Sequence, residues 1–284
     1  GDSVLLHSPT YIGFTKSLTN NGYHIVHSPL VKDENNVYRM DFEDMEKKIV
    51  ENHIHAAIFC SPHNPTGRVW ERWEIEKAME IYKKHDVYVV SDEIWSDLLL
   101  NGHKHITTQS VSEDAKQRTV ALYAPSKTFN LAGLQTANII IPNPELRERF
   151  YDEQKKDDGN PKCNILGLEA CKIAYTECED WLEQVLTVIE RNRQIITDFI
   201  KKEFPQIQIM KLEGTYLLWM DFNGLGIECH ELAKILKEEA YLFFDEGFIF
   251  GESGEGFERW NLACPTRYIE EGLKRLKNTL HNHI

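Results

Sequence analysis

Long hydrophobic runs are missing from this 284-residue chain. Runs such as Val87–Val90 are the length of a strand, well short of the ~20 apolar residues that span a bilayer, so no membrane partner is expected. Positive charge is also scarce. Lys and Arg number 32 against 45 Asp and Glu, a formal net charge of -13. Such a chain repels phosphate backbones, which argues against nucleic acid as a partner. Cysteine is limited to six residues with no CxxC pair, a pattern of reduced thiols rather than a disulfide framework, so a cytoplasmic location is expected. Three histidine pairs, His53/His55, His103/His105 and His281/His283, have no further ligands nearby, and no metal site is expected. Internal repeats and low-complexity segments are absent. The chain opens on Gly1 rather than Met and shows no targeting segment, so either an expression scar or an internal start is expected.

What is present suffices for a large core: 42% of residues are hydrophobic and 27% charged. Up to Pro144, short apolar runs alternate with amphipathic stretches. Strands are expected at Val4–His7, His24–His27, Ala56–Cys60, Val87–Ser91, Thr119–Tyr123 and Thr136–Ile141. Helices are expected over Tyr11–Asn20, from an Asp41 cap to Asn52, and over Glu71–Lys84. Strands alternating with helices imply a mostly parallel α/β sheet. Helices then dominate from Glu145 to Lys202, the last of them starting near Glu179 and stopped by Pro205. A smaller α+β unit follows, with strands near Thr215–Asp221, Leu242–Phe244 and Arg259–Ala263, a helix over Cys229–Ala240 and another from Arg267.

Four segments carry residues suited to chemistry. Ser61–Gly67 (SPHNPTG) follows a buried strand, and its prolines and glycine would present the Asn64 amide from a stiff loop at the ligand-binding edge of the sheet. By itself it also reads as an ordinary turn. Asp92 ends an apolar strand, where a carboxylate is costly without a cationic partner; it reads equally well as a helix cap. Lys127 sits in a loop between hydroxyls, Ser126 and Thr128. An amine that attacks a carbonyl must be neutral part of the time, yet in isolation Lys127 reads as a solvated lysine. Arg259 opens a strand among aromatics, and its planar fork suits a carboxylate; alone it reads as a surface salt-bridge residue. The glycine-rich Gly251–Gly256 carries two glutamates that would repel phosphate, so it is not a nucleotide loop.

In combination these segments resemble the fold type I pyridoxal 5′-phosphate (PLP) enzymes of the class I/II aminotransferase superfamily, and most of all their cystathionine β-lyase (C–S lyase) branch. The likeness runs through SPTYIGF (Ser8–Phe14), SPHNPTGRVW (Ser61–Trp70), SDEIWSDL (Ser91–Leu98), SKTFNLAGL (Ser126–Leu134), GTYLLWMDF (Gly214–Phe222) and FERWNLACP (Phe257–Pro265). It implies an α/β, three-layer PLP-transferase large domain over residues 1–185 and a small C-terminal α+β domain over 186–284. It implies PLP as cofactor, a small amino-acid substrate and a homodimer. By the same resemblance Lys127 carries the cofactor and shuttles protons, and Asp92 keeps the pyridine nitrogen protonated. Asn64 hydrogen-bonds the ring oxygen, Tyr11 stacks on the ring, Ser126 contacts the phosphate and Arg259 clamps the substrate carboxylate.

Three departures accompany it. Trp95 stands where the family often has Tyr or His near the ring oxygen. Gln135 stands where aspartate-type aminotransferases have a phosphate-binding arginine, a feature shared with the C–S lyase branch. The family also has an N-terminal segment, with a phosphate-cradling loop, before the equivalent of Gly1, and the chain is expected to lack it. The activity expected is PLP-dependent β-elimination giving pyruvate, ammonia and a thiol. The alternatives are an amino-acid aminotransferase or, from another class, a catalytically silent fragment or protein-binding relative.

Overall fold

The computed structural model describes residues 2–158 and 163–284. Strand β1 (Ser3–Ser8) leads through helix α1 (Ile12–Asn20) to β2 (His24–Pro29). A short ribbon of β3 (Val31–Lys32) and β4 (Tyr38–Arg39) precedes α2 (Phe42–Glu51). Then come β5 (Ala56–Cys60), α3 (Arg72–Lys84), β6 (Tyr88–Asp92), α4 (Glu113–Arg118), β7 (Thr119–Tyr123), the single turn α5 (Pro125–Thr128) and β8 (Asn138–Ile140). Helices α6 (Pro144–Asp158), α7 (Ile165–Glu177) and α8 (Glu179–Glu203) follow. The chain ends with β9 (Gln208–Ile209), β10 (Leu217–Asp221), α9 (Cys229–Lys234), β11 (Asp245–Glu246), β12 (Phe257–Asn261) and α10 (Thr266–Leu280).

Local chemistry accounts for several boundaries. The Asp41 carboxylate accepts the Asp44 N–H at 3.0 Å and caps α2, whose Met45 and Ile49 are buried four residues apart. Glu71 and Glu74 form a capping box at the start of α3. In α8 the buried residues Ile189, Asn192, Ile196 and Ile200 recur at three- and four-residue spacing, giving the helix one inward face. Pro205, two residues past its end, cannot continue it.

The main sheet has the order β2-β1-β5-β6-β7-β8. Every neighbour pair in it is parallel except β7–β8. The second sheet, β11-β12-β10-β9, is antiparallel. This is the expected α/β architecture: a mostly parallel sheet with a smaller antiparallel one near the C-terminus. The first core packs α2 and α3 onto β1, β5 and β6 and also takes in Trp219, Phe250 and Phe257 from around the small sheet. The second joins α8, α10 and β10 to Trp95, Leu98 and Leu100. Helix α8 runs unbroken through residues 185 and 186.

Three elements differ from the sequence reading. Leu242–Phe244 is irregular, and the strand falls on Asp245–Glu246; Phe243 is 74% exposed, so that apolar triplet has no sheet to enter. The helix expected over Cys229–Ala240 is regular only to Lys234 and then widens into a π turn over Ile235–Glu239. Arg259 lies in the middle of β12 rather than opening it.

Candidate active site

In a parallel sheet all carboxyl ends face one edge, and adjacent strands bring residues distant in sequence together there. Tyr11 follows β1, Asn64 follows β5, Asp92 ends β6 and Lys127 follows β7, and these four strands are neighbours. Tyr11, Asn64, Asp92, Trp95, Ser126 and Lys127 line one cavity of about 330 Å³, and Arg259 enters it from the second sheet. Lys127 also lines an adjoining cavity of about 510 Å³, walled by Trp181, Val185 and Ile189 of α8.

The Asn64 loop is rigidly held. Gly67 has φ +71°, a left-handed conformation that favours glycine. A Cβ there would come within 2.4 Å of the Leu212 side chain. The Gly67 carbonyl accepts the N–H groups of both Glu213 and Gly214 at 3.0 Å. Asn64 itself is buried, and its Oδ1 accepts from Arg259 Nη1 at 2.6 Å. Arg259 also donates through Nε and Nη2 to Asp245 Oδ2, at 3.2 and 2.5 Å, and its guanidinium lies 4.7 Å from the Phe250 ring centre. Arg259 is thus salt-bridged, but its side chain is only 12% exposed and lines the cavity rather than the surface.

The segment after Asp92 is a turn rather than a helix, so Asp92 caps no helix. Its Oδ1 accepts the Ile94 N–H at 3.1 Å, a local turn contact. Burial pushes its carboxyl up to about 6; the Ile94 N–H and the Lys127 charge act against this rise, and the Glu93 charge adds to it. Among the described residues no other hydrogen bond reaches the Asp92 carboxylate, and the Lys127 amine has neither hydrogen bond nor ion pair. The Lys127 amine lies 5.8 Å from the Trp95 ring centre, and Trp95 meets Tyr216 edge-on at 4.8 Å. Trp95 thus contributes an aromatic wall in place of a hydroxyl. Gln135, outside both cavities, sits in the left-handed conformation at φ 49°.

Several lining residues were missed from sequence. Cys60, Phe14, Tyr216 and Asn261 face the same cavity. Tyr216 and Asn261 lie within the GTYLLWMDF and FERWNLACP segments, which were the available signal. Burial, together with the nearby Asp92, pushes the Cys60 thiol well up, and burial likewise raises Tyr216. Asp245 had no signal, because strand pairing rather than nearby sequence sets it across from Arg259.

A parallel α/β sheet with such a cavity at its carboxyl edge, completed by an arginine from a small antiparallel sheet, is the PLP-transferase arrangement. The chain belongs to the aminotransferase class I and II family, whose model matches residues 1–276. It is similar to cystathionine β-lyase PatB of Bacillus subtilis, 38% identical over 280 residues, covering 99% of this chain and 72% of that protein. Cystalysin from Treponema denticola, whose crystal structure contains pyridoxal 5′-phosphate, superposes with a TM-score of 0.96 at 40% identity, over 100% of this chain and 72% of that one. The PLP-bound C–S lyase of Staphylococcus hominis, complexed with the inhibitor L-cycloserine, gives a TM-score of 0.91 at 32% identity, over 98% and 68% of the two chains. Similarity of this kind identifies the C–S lyase branch of the family. Among the described residues no helix is long and apolar enough to cross a membrane.

Proposed function

We propose that the protein is a PLP-dependent carbon–sulfur lyase acting on L-cysteine S-conjugates of the cystathionine type. The observation that carries this reading is the convergence of Asp92, Lys127 and Arg259 on one cavity. The donor set suits the cofactor. A buried carboxyl raised to about 6 is stabilised as the anion by a protonated ring nitrogen. An amine free of hydrogen bonds is available to a carbonyl. Tyr11 offers a ring face and Ser126 a hydroxyl for the phosphate end.

When bound, PLP supplies an electron sink for the pair left at the substrate α-carbon. The chain's own groups do the rest. Arg259, steadied at Nη1 by Asn64 and at Nε and Nη2 by Asp245, binds the α-carboxylate. Lys127 Nζ would hold the cofactor and, once the substrate amine takes its place there, would be the free base for the α-proton. The Asp92 carboxylate would hold the proton on the ring nitrogen. Trp95 and Tyr216 keep water from the reacting face. Apolar residues exposed on α7, with Ile165 at 73% and Leu166 at 72%, support a homodimer, which sedimentation velocity would measure.

The test is incubation with L-cystathionine and PLP. Pyruvate release without an added keto acid is expected, with Lys127→Ala reducing it by on the order of 10³-fold. A keto-acid requirement would point instead to an aminotransferase. Failure of added PLP to give any Lys127-dependent absorbance band would point to a catalytically silent relative.

A further inference from the structure

Two carboxylates beside the cavity have no part in the chemistry above, yet both reach toward Lys127. Glu93 is fully buried, one residue past Asp92. It accepts from Ser91 Oγ at 2.9 Å, the Thr108 N–H at 3.1 Å, His105 Nε2 at 2.6 Å and Tyr123 Oη at 2.6 Å. Tyr123 is the last residue of β7, directly before the turn that carries Lys127. Asp97, four residues past Glu93 on the same segment, accepts from Thr128 Oγ1 at 2.8 Å and from Tyr175 Oη at 3.3 Å. Thr128 is the residue after Lys127. The segment that bears Asp92 therefore grips the chain on both sides of Lys127.

We propose that Glu93 and Asp97 are positioning residues for Lys127: through Tyr123 and Thr128 they brace its turn against the Asp92 segment and fix the amine relative to the Asp92 carboxylate. The geometry favours a specific function over general cohesion. β6 and β7 are already joined by parallel pairing from Val89–Thr119 to Asp92–Leu122, and that pairing ends where the braces begin. Past the last rung, a lysine side chain of high rotamer entropy has no hydrogen bond of its own to hold it. Its location is then set by its backbone, which the turn's own bonds from Phe129 N–H to the Pro125 carbonyl and from Leu131 N–H to the Ser126 carbonyl hold internally, and which these two contacts tie to the Asp92 segment. Glu93 is suited to the task as a fixed anion. Burial alone would raise its carboxyl, but the donors from His105, Tyr123 and Ser91 hold it below the usual carboxylate range.

The Asp92 carboxyl serves as the ruler. The titratable and charged groups around it are Cys60 on β5, Glu93 on its own segment, Lys127 from the α5 turn, and Tyr11, Tyr216 and Arg259 on the remaining cavity wall. In the cofactor-free chain, carbon-13 NMR of labelled aspartates would follow its titration, with a midpoint expected at about 6. The Lys127 charge lowers that midpoint, so Lys127→Met marks the value with the charge gone. Tyr123→Phe and Thr128→Val each delete a brace without changing the net charge. Each is expected to move the Asp92 midpoint upward by about half of the Lys127→Met shift or more as the amine drifts away. Should Thr128→Val fail to fold, Tyr175→Phe tests the same brace from its half-exposed end. A midpoint unmoved in the brace variants overturns the proposal. So does an equal rise when a brace is deleted in a Lys127→Met background, because the ruler would then not be reading the lysine. In the loaded enzyme the same variants are expected to lower kcat about tenfold with KM within about twofold. That last readout rests on the lyase reading, whereas the NMR titration needs no cofactor, so the two ideas can fail separately.

Discussion

Arg259 has partners on two sides. It is a salt-bridge arginine, held by Asp245, and it is also a cavity arginine, joined to Asn64 across 195 residues of chain. A lysine at this position keeps the charge but loses the planar fork. Arg259→Lys is therefore expected to raise KM for the amino-acid substrate by about 10- to 100-fold, with kcat little changed; steady-state kinetics would show a kcat effect instead if Arg259 acted in the chemical step alone. Asp92 supports a stability prediction. Its ordinary value is 3.8 and its folded value about 6, so between those pH values the folded chain keeps a proton that the unfolded chain has lost. Stability accordingly falls as pH rises through that window, and the whole penalty, roughly 3 kcal/mol at most, is present above it. Asp92→Asn cannot ionise. It should raise the melting temperature of the cofactor-free chain by a few degrees at pH 7.5 and leave it unchanged at pH 4, while abolishing lyase activity. Equal melting at both pH values would mean that the carboxylate is already compensated within the chain.

At the level of elements, strand ends were the most legible feature. Asn64, Asp92 and Lys127 each follow an apolar run, and the parallel sheet turned those positions into a common edge without further information. What stayed hidden has one physical origin. Asp245 against Arg259, Tyr216 against Trp95 and Glu93 against Tyr123 are contacts set by strand pairing and packing, which local periodicity does not encode. Leu242–Phe244 failed for the converse reason. Its apolar pattern suits a strand, but the ladder of β12 pairs with Asp245 and Glu246 instead. That pairing sets Glu246 directly across from Glu258, which is buried on the face of β12 opposite Arg259. Burial, then the charges of Glu246 and Asp245, push the Glu258 carboxyl up to about 9. The folded chain thus holds this proton from pH 4.5, the ordinary value, up to about 9, and stability falls as pH rises across that range. Glu258→Gln mimics the protonated form. It is expected to stabilise the chain by roughly 1–3 kcal/mol at pH 8 and to flatten the decline in melting temperature between pH 5 and 9. A decline as steep as in the parent chain would show that other groups cause it.

On the scale of the whole molecule, the two sheets are held together by charge as well as by the interleaved cores. Arg68 leaves the Asn64 loop, is 2% exposed, and donates to Glu74 on α3 at 2.6 Å and to Glu213 on the segment entering β10. Each carboxylate has a second cation at 3.0 Å, Arg39 for Glu74 and Lys211 for Glu213, and Glu213 also accepts the Val69 N–H at 3.0 Å. Such a network adds less net stability than its contacts suggest, because three charges have left water. Breaking it from one side is another matter. Arg68→Met would leave Glu74 and Glu213 buried with only their outer partners, at a cost of about 3–5 kcal/mol. The same change frees the Asn64 loop, since the Gly67 carbonyl is tied to the very residues that Arg68 anchors. Urea denaturation followed by tryptophan fluorescence would read both consequences. Trp70 and Trp219 report on the large-sheet core, Trp95 and Trp260 on the core around α8 and α10. The parent chain should lose both signals in one transition, because Trp219 and Phe257 of the second sheet and Phe250 from the turn beside it are built into the first core. Arg68→Met should shift that transition to lower urea by the stated cost and weaken Arg259-dependent substrate binding along with it. Unaltered binding at full destabilisation would mean that Asn64 and Arg259 are held by their own contact, independently of the buried ion network.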